Sequence, residues 1–246
     1  MLIEQTAYAN RWRAISPAAK GLFAAAGFVA AFAAGRPLTA ALVAVGLVLL
    51  TMLGAGIPAA RYLRVAAPAL FFLALSSLSL AFSLDISAGA PHWRLAPDGL
   101  EQLAETGSRS LGALAALLFL VLTTPLNDLI GLLRRLKTPE LLLDIMVLCY
   151  RMLFVFSATV HDTLTAQSAR LGYATPRLAL CSLGQLATNL TLQVWQRAHA
   201  LDVAAQARNN DGPLLFLAPE FADSRRHCLR AGLAGLALIG LVVGLR

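Results

Sequence analysis

The sequence predicts an all-α polytopic membrane protein, with about five transmembrane helices and a cytoplasmic domain built on two long helices. Three observations carry that prediction. Of the 246 residues, 58% are hydrophobic and only 13% charged, against about 25% charged in an ordinary soluble domain. The apolar residues fall in runs at about 18–34, 37–53, 66–84, 109–124 and 228–245, each near the ~17 residues needed to cross a hydrocarbon core. Threading the chain through five crossings then gathers most Lys and Arg on one side, as the retention of basic residues at the cytoplasmic face requires.

The first two runs are Ala-rich and separated by Gly35-Arg36-Pro37, a turn short enough to impose an antiparallel hairpin. Ala24, Ala25, Gly27, Ala30 and Ala31 allow close helix contact in lipid. Pro68 lies near the start of the third run, where a missing backbone donor does least harm. Arg11, Arg13 and Lys20 place the N-terminus inside, and five crossings bring Arg61, Arg64, Arg134, Arg135, Lys137, Arg151, Arg170, Arg177, Arg197, Arg208, Arg225, Arg226 and Arg230 to the same face. Outside remain Arg36, Arg94, Arg109 and Arg246, with Asp85, Asp98, Glu101 and Glu105 in an outer loop of about 85–108. The net charge of +7 is thus assigned to the inner membrane surface, and no nucleic-acid partner is expected. Met1-Leu2-Ile3-Glu4-Gln5 lacks the basic lead-in of a cleaved signal, so insertion is expected to rely on the spans themselves.

Segment 138–160 is apolar enough to pass for a sixth span. It opens with Thr138 as an expected N-cap and Pro139 at the first helical position. It also holds Asp144 and Arg151, seven apart on one helical face, and a charge at the bilayer centre costs roughly 2.5–3.5 kcal/mol. A crossing here would export Arg170, Arg177, Arg197 and Arg208, so the segment is kept inside. The expected domains are therefore 1–124 with four spans, an inner-face helical domain at 125–225, and a final span at 226–246. Within the middle domain the expected elements are a short amphipathic helix near 126–136, a long helix at 139–171, a turn at Tyr173-Ala174-Thr175-Pro176 and a second long helix at 178–208. Pro176 disfavours helical geometry at Thr175. Helices of thirty residues span about 45 Å, and Gly184 is a candidate place for a bend or break.

Two stretches in that domain repeat one pattern: Ala166-Gln167-Ser168-Ala169-Arg170 and Ala204-Ala205-Gln206-Ala207-Arg208, followed by Gly172 and Gly212. Ala at four and at one before the Arg lies on one helical side, leaving a shallow surface that a partner's backbone can approach. The Arg adds a planar fork of donors suited to carboxylates or carbonyl oxygens. The plain alternative is a C-terminal cap favoured by the helix dipole, with Gly172 expected in the left-handed cap position. Two copies 38 residues apart favour a paired receptor over two unrelated caps. His161 and His199 share the offset, each nine before its Arg, and read as a duplicated helix rather than a metal site.

Other chemistries find little support. Cys149, Cys181 and Cys228 have neither metal-ligand spacing nor an even count, and are expected as free thiols filling apolar space. The Gly-x-x-x-x-Gly-Lys-Ser/Thr loop and the His-Glu-x-x-His pair are both missing from the sequence, so neither ATP binding by this chain nor a zinc protease is expected. Ser76, Ser77, Ser79 and Thr51 read as packing hydroxyls, and His161-Asp162 has no nucleophile at a telling spacing. An intramembrane enzyme stays as one alternative. A self-sufficient secondary transporter is the other, although such proteins place ionisable groups near the midplane and His92 alone makes a poor metal site.

The chain resembles the transmembrane subunits of energy-coupling factor transporters, in the CbiQ/NikQ branch that serves cobalt and nickel uptake. The residues that carry the resemblance are Ala7-Tyr8-Ala9-Asn10-Arg11, Ser16-Pro17-Ala18-Ala19-Lys20, Ala55-Gly56-Ile57-Pro58, Leu148-Cys149-Tyr150-Arg151 and the two Ala-Arg stretches. The resemblance implies a non-catalytic coupling subunit of an importer in the cell inner membrane, N-terminus inside. ATP and Mg would be bound and hydrolysed by two ATP-binding cassette subunits, with no cofactor on this chain. It further implies a CbiM/NikM-like substrate-binding membrane subunit, cobalt ahead of nickel as cargo, and docking of the cassettes through Ala166, Ala169, Arg170, Gly172, Ala204, Ala207, Arg208 and Gly212. Asp144, Tyr150, Arg151, Pro176 and Arg197 are expected in structural or coupling roles. The pattern departs from the family's Ala-Arg-Gly form in both copies, through Leu171 in the first and Asn209-Asn210-Asp211 in the second.

Overall fold

The computed structural model describes residues 2–85, 92–95, 99–209 and 224–244. The helices are α1 (Leu2–Ala9), α2 (Pro17–Ala33), α3 (Pro37–Leu49), α4 (Ala59–Ala81), α5 (Gly99–Thr123), α6 (Leu126–Arg135), α7 (Glu140–Ala169), α8 (Pro176–Gln206) and α9 (Ser224–Gly244). Two four-residue strands, β1 (Phe82–Asp85) and β2 (His92–Leu95), pair antiparallel between α4 and α5. They leave the all-α class intact but shorten the expected outer loop, because Glu101 and Glu105 already belong to α5. The chain divides into two compact units, one of Met1–Leu132 with Ala218–Arg246 and a second of Leu133–Leu217.

In the first unit α2 packs against α3, α5 and α9. Ser16 caps it, its side chain accepting from the Ala19 N–H at 3.4 Å, and Pro17 supplies the first turn. Small residues then let three neighbours approach. A Cβ on Gly112 of α5 would sit 2.6 Å from Ala31 Cβ, and one on Gly235 of α9 would sit 2.6 Å from Ala26 Cβ. Ala30, Ala31, Val43, Ala44, Leu47, Ala115, Ala116 and Val242 form the resulting core. This is the close small-residue packing that membrane helices need when lipid tails are as apolar as Leu.

A second core of Ala55, Ile57, Tyr62, Ala66, Leu118 and Leu122 lies where α3 ends. There α3 loosens into a π-helical turn, Leu50–Gly54, and Gly56 adopts a φ of 71° against the Arg11 side chain. The Trp12 ring occupies the space a side chain at Gly54 would need, and stands edge-on to Phe119 at 5.9 Å between centroids. The Ala55-Gly56-Ile57-Pro58 motif is thus a bulge built to receive the Arg11–Ala14 3-10 turn, whose Arg11 N–H donates to Ala55 O at 3.2 Å.

The break between α5 and α6, at Thr124-Pro125, is lined by polar groups from the N-terminal segment. Asn10 Nδ2 donates to Ala7 O at 2.6 Å and to Thr123 O at 3.1 Å. Lys20 Nζ donates to Thr123 O at 2.9 Å, and Arg13 pairs with Asp128 on α6. Asn10, Lys20, Thr123, Thr124 and Asp128 are all buried.

Several boundaries move. Pro68 lies well inside α4, because the helix begins at Ala59, capped where the Arg61 and Tyr62 N–H groups donate to Pro58 O. Helix α8 runs unbroken through Gly184. Thr138 does not cap α7: its Oγ1 donates to Leu133 O at 2.9 Å, closing the end of α6 instead, and Pro139 takes the N-cap position. Cys149 and Cys181 are exposed rather than filling apolar space, and Cys228 is half-buried.

Among the described residues five helices are long and apolar enough to cross a membrane: Pro37–Gly54, Ala59–Ser77, Glu101–Thr123, Glu140–Ala169 and Ser224–Gly244. The number agrees with expectation, but the membership differs. Helix α7, expected inside, meets the criterion, whereas the 17-residue α2 falls short of it. Length and composition therefore leave α7 eligible to cross.

Candidate functional site

The two Ala-Arg stretches end the two long helices of the second unit. Helix α7 closes at Ala169, and Arg170 leaves helical geometry at φ −93°, ψ 15°. The next residue, Leu171, turns left-handed at φ 57°. Its N–H donates to Ser168 O at 3.0 Å, and the Gly172 N–H donates to Gln167 O at 2.9 Å. Those two bonds define a Schellman C-cap, which satisfies carbonyls that a helix end otherwise leaves without partners.

This corrects the expected role of Gly172. The left-handed residue is Leu171, and the glycine is needed for space: a Cβ there would lie 2.7 Å from Ser182 Oγ and 3.0 Å from Gln167 O. Ser182 is the buried residue of α8, and its Oγ donates to Gly172 O at 2.9 Å. Gln167 Nε2 donates to Ser182 O at 3.0 Å, while the Tyr173 hydroxyl donates to Gln167 Oε1 at 2.7 Å. Thr175 caps α8 by accepting from the Leu178 N–H, and Pro176, expected in the turn ahead of a helix from 178, is instead the first helical residue. The turn is therefore a small polar knot, and Ala166, Ala169 and Arg170 stand exposed on its outside.

The second tip repeats the backbone pattern. At the first, Arg170 N donates to Gln167 O and Leu171 N to Ser168 O. At the second, Arg208 N donates to Ala205 O at 3.1 Å and Asn209 N to Gln206 O at 3.0 Å. Asn209 is left-handed at φ 51°, the counterpart of Leu171, and Asn accepts that conformation more readily than Leu. Ala204, Ala207 and Arg208 are exposed. Gly212 lies outside the described residues. At about 1.5 Å per residue, the 31-residue α8 sets the two tips roughly 45 Å apart.

Of the other expected residues, Tyr150 stacks edge-on with Phe154 at 5.2 Å between centroids. Asp144 is half-buried, and Arg151 and Arg197 are exposed. His161 and His199 are exposed as well, and no group of three or more His, Cys, Asp or Glu side chains suited to a metal ion occurs among the described residues. Gln167, Tyr173 and Ser182 were not anticipated. Their signal was faint: Gln recurs inside both stretches, as Gln167 and Gln206, but at different distances from the Arg.

The profile of the family described as cobalt transport protein CbiQ matches residues 9–215, a span that takes in the N-terminal segment and both tips. This chain belongs to the CbiQ family. The cobalt transport protein CbiQ of Rhodobacter capsulatus is 35% identical over 223 residues, 90% of this chain and 89% of that protein. Two archaeal relatives match over a shorter stretch. An uncharacterized protein of Methanocaldococcus jannaschii is 35% identical over 120 residues, 49% of this chain and 45% of its own. A putative fused cobalt transport protein CbiMQ of Methanocorpusculum labreanum is 35% identical over 124 residues, 50% of this chain and 21% of its own. This chain thus spans less than half the length of either archaeal protein.

Proposed function

We propose that this CbiQ-family chain is the membrane-embedded coupling subunit of an ATP-driven importer, with cobalt as its cargo ahead of nickel. The observation that carries the proposal is the left-handed residue that follows each arginine, Leu171 after Arg170 and Asn209 after Arg208. Two exposed arginines, each preceded by exposed alanines and each fixed by the same pair of backbone bonds, suit two equivalent receptor grooves. Two ATP-binding cassette subunits at the inner face supply such a pair. The naming of relatives as cobalt transport proteins supports the cargo. The fused CbiMQ relative supports a CbiM-like substrate-binding membrane subunit as the neighbour within the bilayer.

In this reading the chain hydrolyses nothing. Closure of the cassettes around ATP draws the seated tips together, and the long helices carry that displacement to the membrane part, which tilts the substrate-binding subunit. A load-bearing contact favours Arg held in a groove, because a desolvated anchor resists displacement better than a rim charge. The N-terminus lies on the cytoplasmic side of the inner membrane, with the basic residues.

Arg170→Glu tests the proposal. Membrane insertion stays intact, ATP-dependent cobalt uptake is lost, and co-purification with the cassette subunits falls. Undiminished co-purification refutes docking through this tip. Cobalt uptake by the purified chain alone in proteoliposomes would favour a secondary transporter instead.

A further inference from the structure

We infer that the α5–α6 corner is a fixed joint, clamped by the N-terminal segment through the positioning residues Asn10, Arg13 and Lys20, and that the membrane bundle and the part of α6 up to Leu132 move as one piece. The inference extends the coupling role proposed above and rests on it for its functional consequence. By chain chemistry alone this corner ought to bend. Helix α5 stops at Thr123, and Pro125 brings no N–H to bridge the gap, so the last carbonyls of α5 lose their helical donors. In the structure two of those carbonyls, Leu122 O and Thr123 O, have donors from elsewhere, with Asn10 Nδ2 lying 3.5 Å from Leu122 O. Thr123 O accepts from both Asn10 Nδ2 and Lys20 Nζ, at 3.1 Å and 2.9 Å. One turn later Asp128, 3% exposed, is held by Arg13.

The arrangement is built rather than incidental. Lys20 is itself only 3% exposed, and an ammonium group is buried only where it is paired and hydrogen-bonded. It lies at the negative end of the α5 dipole. Arg13 also stacks over the Tyr8 ring, 5.0 Å from guanidinium carbon to centroid, and the Tyr8 hydroxyl accepts from Asn127 Nδ2 on α6 at 3.2 Å. The clamp is anchored in turn, since Trp12 fills the Gly54 recess and the Arg11 N–H bonds Ala55 O. Four consecutive residues, Asn10 to Arg13, thus tie α6 and the end of α5 to the bulge after α3. A loose corner would absorb displacement, whereas a clamped one passes it on.

The test uses the complex with its cassette subunits, and spin labels at positions 117 and 126 of a cysteine-free chain. A single narrow distance distribution, unchanged between an ATP analogue and ADP, is expected. Arg13→Asp should broaden it and lower the cobalt moved per ATP hydrolysed by about 2- to 30-fold, the range for residues on a mechanical path, while cassette co-purification persists. Arg13→Asp combined with Asp128→Arg should restore both. A 117–126 distance that changes with nucleotide overturns the inference. So does a swap that leaves uptake lost, or Arg13→Asp with uptake per ATP unchanged. The same labels in the chain alone test the joint independently of cassette docking, which Arg170→Glu tests.

Discussion

Gly172→Ala is the sharpest probe of the first tip, because the glycine is required there for space and not for backbone freedom. The added methyl would sit 2.7 Å from Ser182 Oγ and 3.0 Å from Gln167 O. Neither neighbour can yield cheaply: Ser182 Oγ is held by its bond to Gly172 O, and Gln167 O accepts the Gly172 N–H that closes the cap. Forcing a methylene-sized group into a filled space costs about 1–3 kcal/mol. At 1.4 kcal/mol per tenfold, that is about a 5- to 150-fold shift toward an opened turn. Hydrogen exchange of the amides at 171–174, followed by mass spectrometry in nanodiscs, reads the shift as a matching loss of protection. Ser182→Ala removes the nearer collision at the cost of one hydrogen bond, about 0.5–1.5 kcal/mol. The double variant should therefore be less perturbed than the two single effects added together. Strict additivity, or unchanged protection in Gly172→Ala, would refute the steric account and return Gly172 to the role of a conformational cap.

Two further outcomes follow from the same geometry. Leu171→Gly relieves a left-handed Leu, worth roughly 1–2 kcal/mol, against about 0.4–1 kcal/mol of added unfolded-chain entropy; since Leu171 is 72% exposed, exchange protection at the tip should rise or hold, never fall. In the membrane unit, Gly235→Val drives a side chain into Ala26 and wedges α9 from α2, lowering stability by about 1–3 kcal/mol, measured as a reduced thermal midpoint in detergent.

The membrane helices were readable because their signal is collective. Apolar runs of fixed minimum length mark α3, α4, α5 and α9 without reference to any single side chain, and the Ala and Gly of α2 announce its close packing. Ends were harder. Pro68 lies near the start of the third apolar run, while α4 begins at a Pro58 turn ahead of two arginines. Thr138 has the residue type of an N-cap, yet its hydroxyl serves the preceding helix, a choice that only the path of the chain decides. At the tips, the offset between Arg170 and Arg208 was visible, and so was the tolerance of Asn209 for left-handed geometry. What one dimension could not supply was Ser182, which comes back onto Gly172 only after α8 has folded beside it. The Asn10–Asp128 cluster was hidden for the same reason: its members are up to 118 positions apart, and Arg13 and Lys20 carried only the meaning of topological charges.

Helices α7 and α8 each have a single buried residue, Leu143 and Ser182, while Trp195, Leu180 and Leu141 are more than two-thirds exposed. Most helical stability in proteins comes from packing an apolar face, not from propensity. A copy synthesised without companions would therefore offer easily unfolded handles to proteases, and its lifetime in the cell would be set by how quickly it is incorporated.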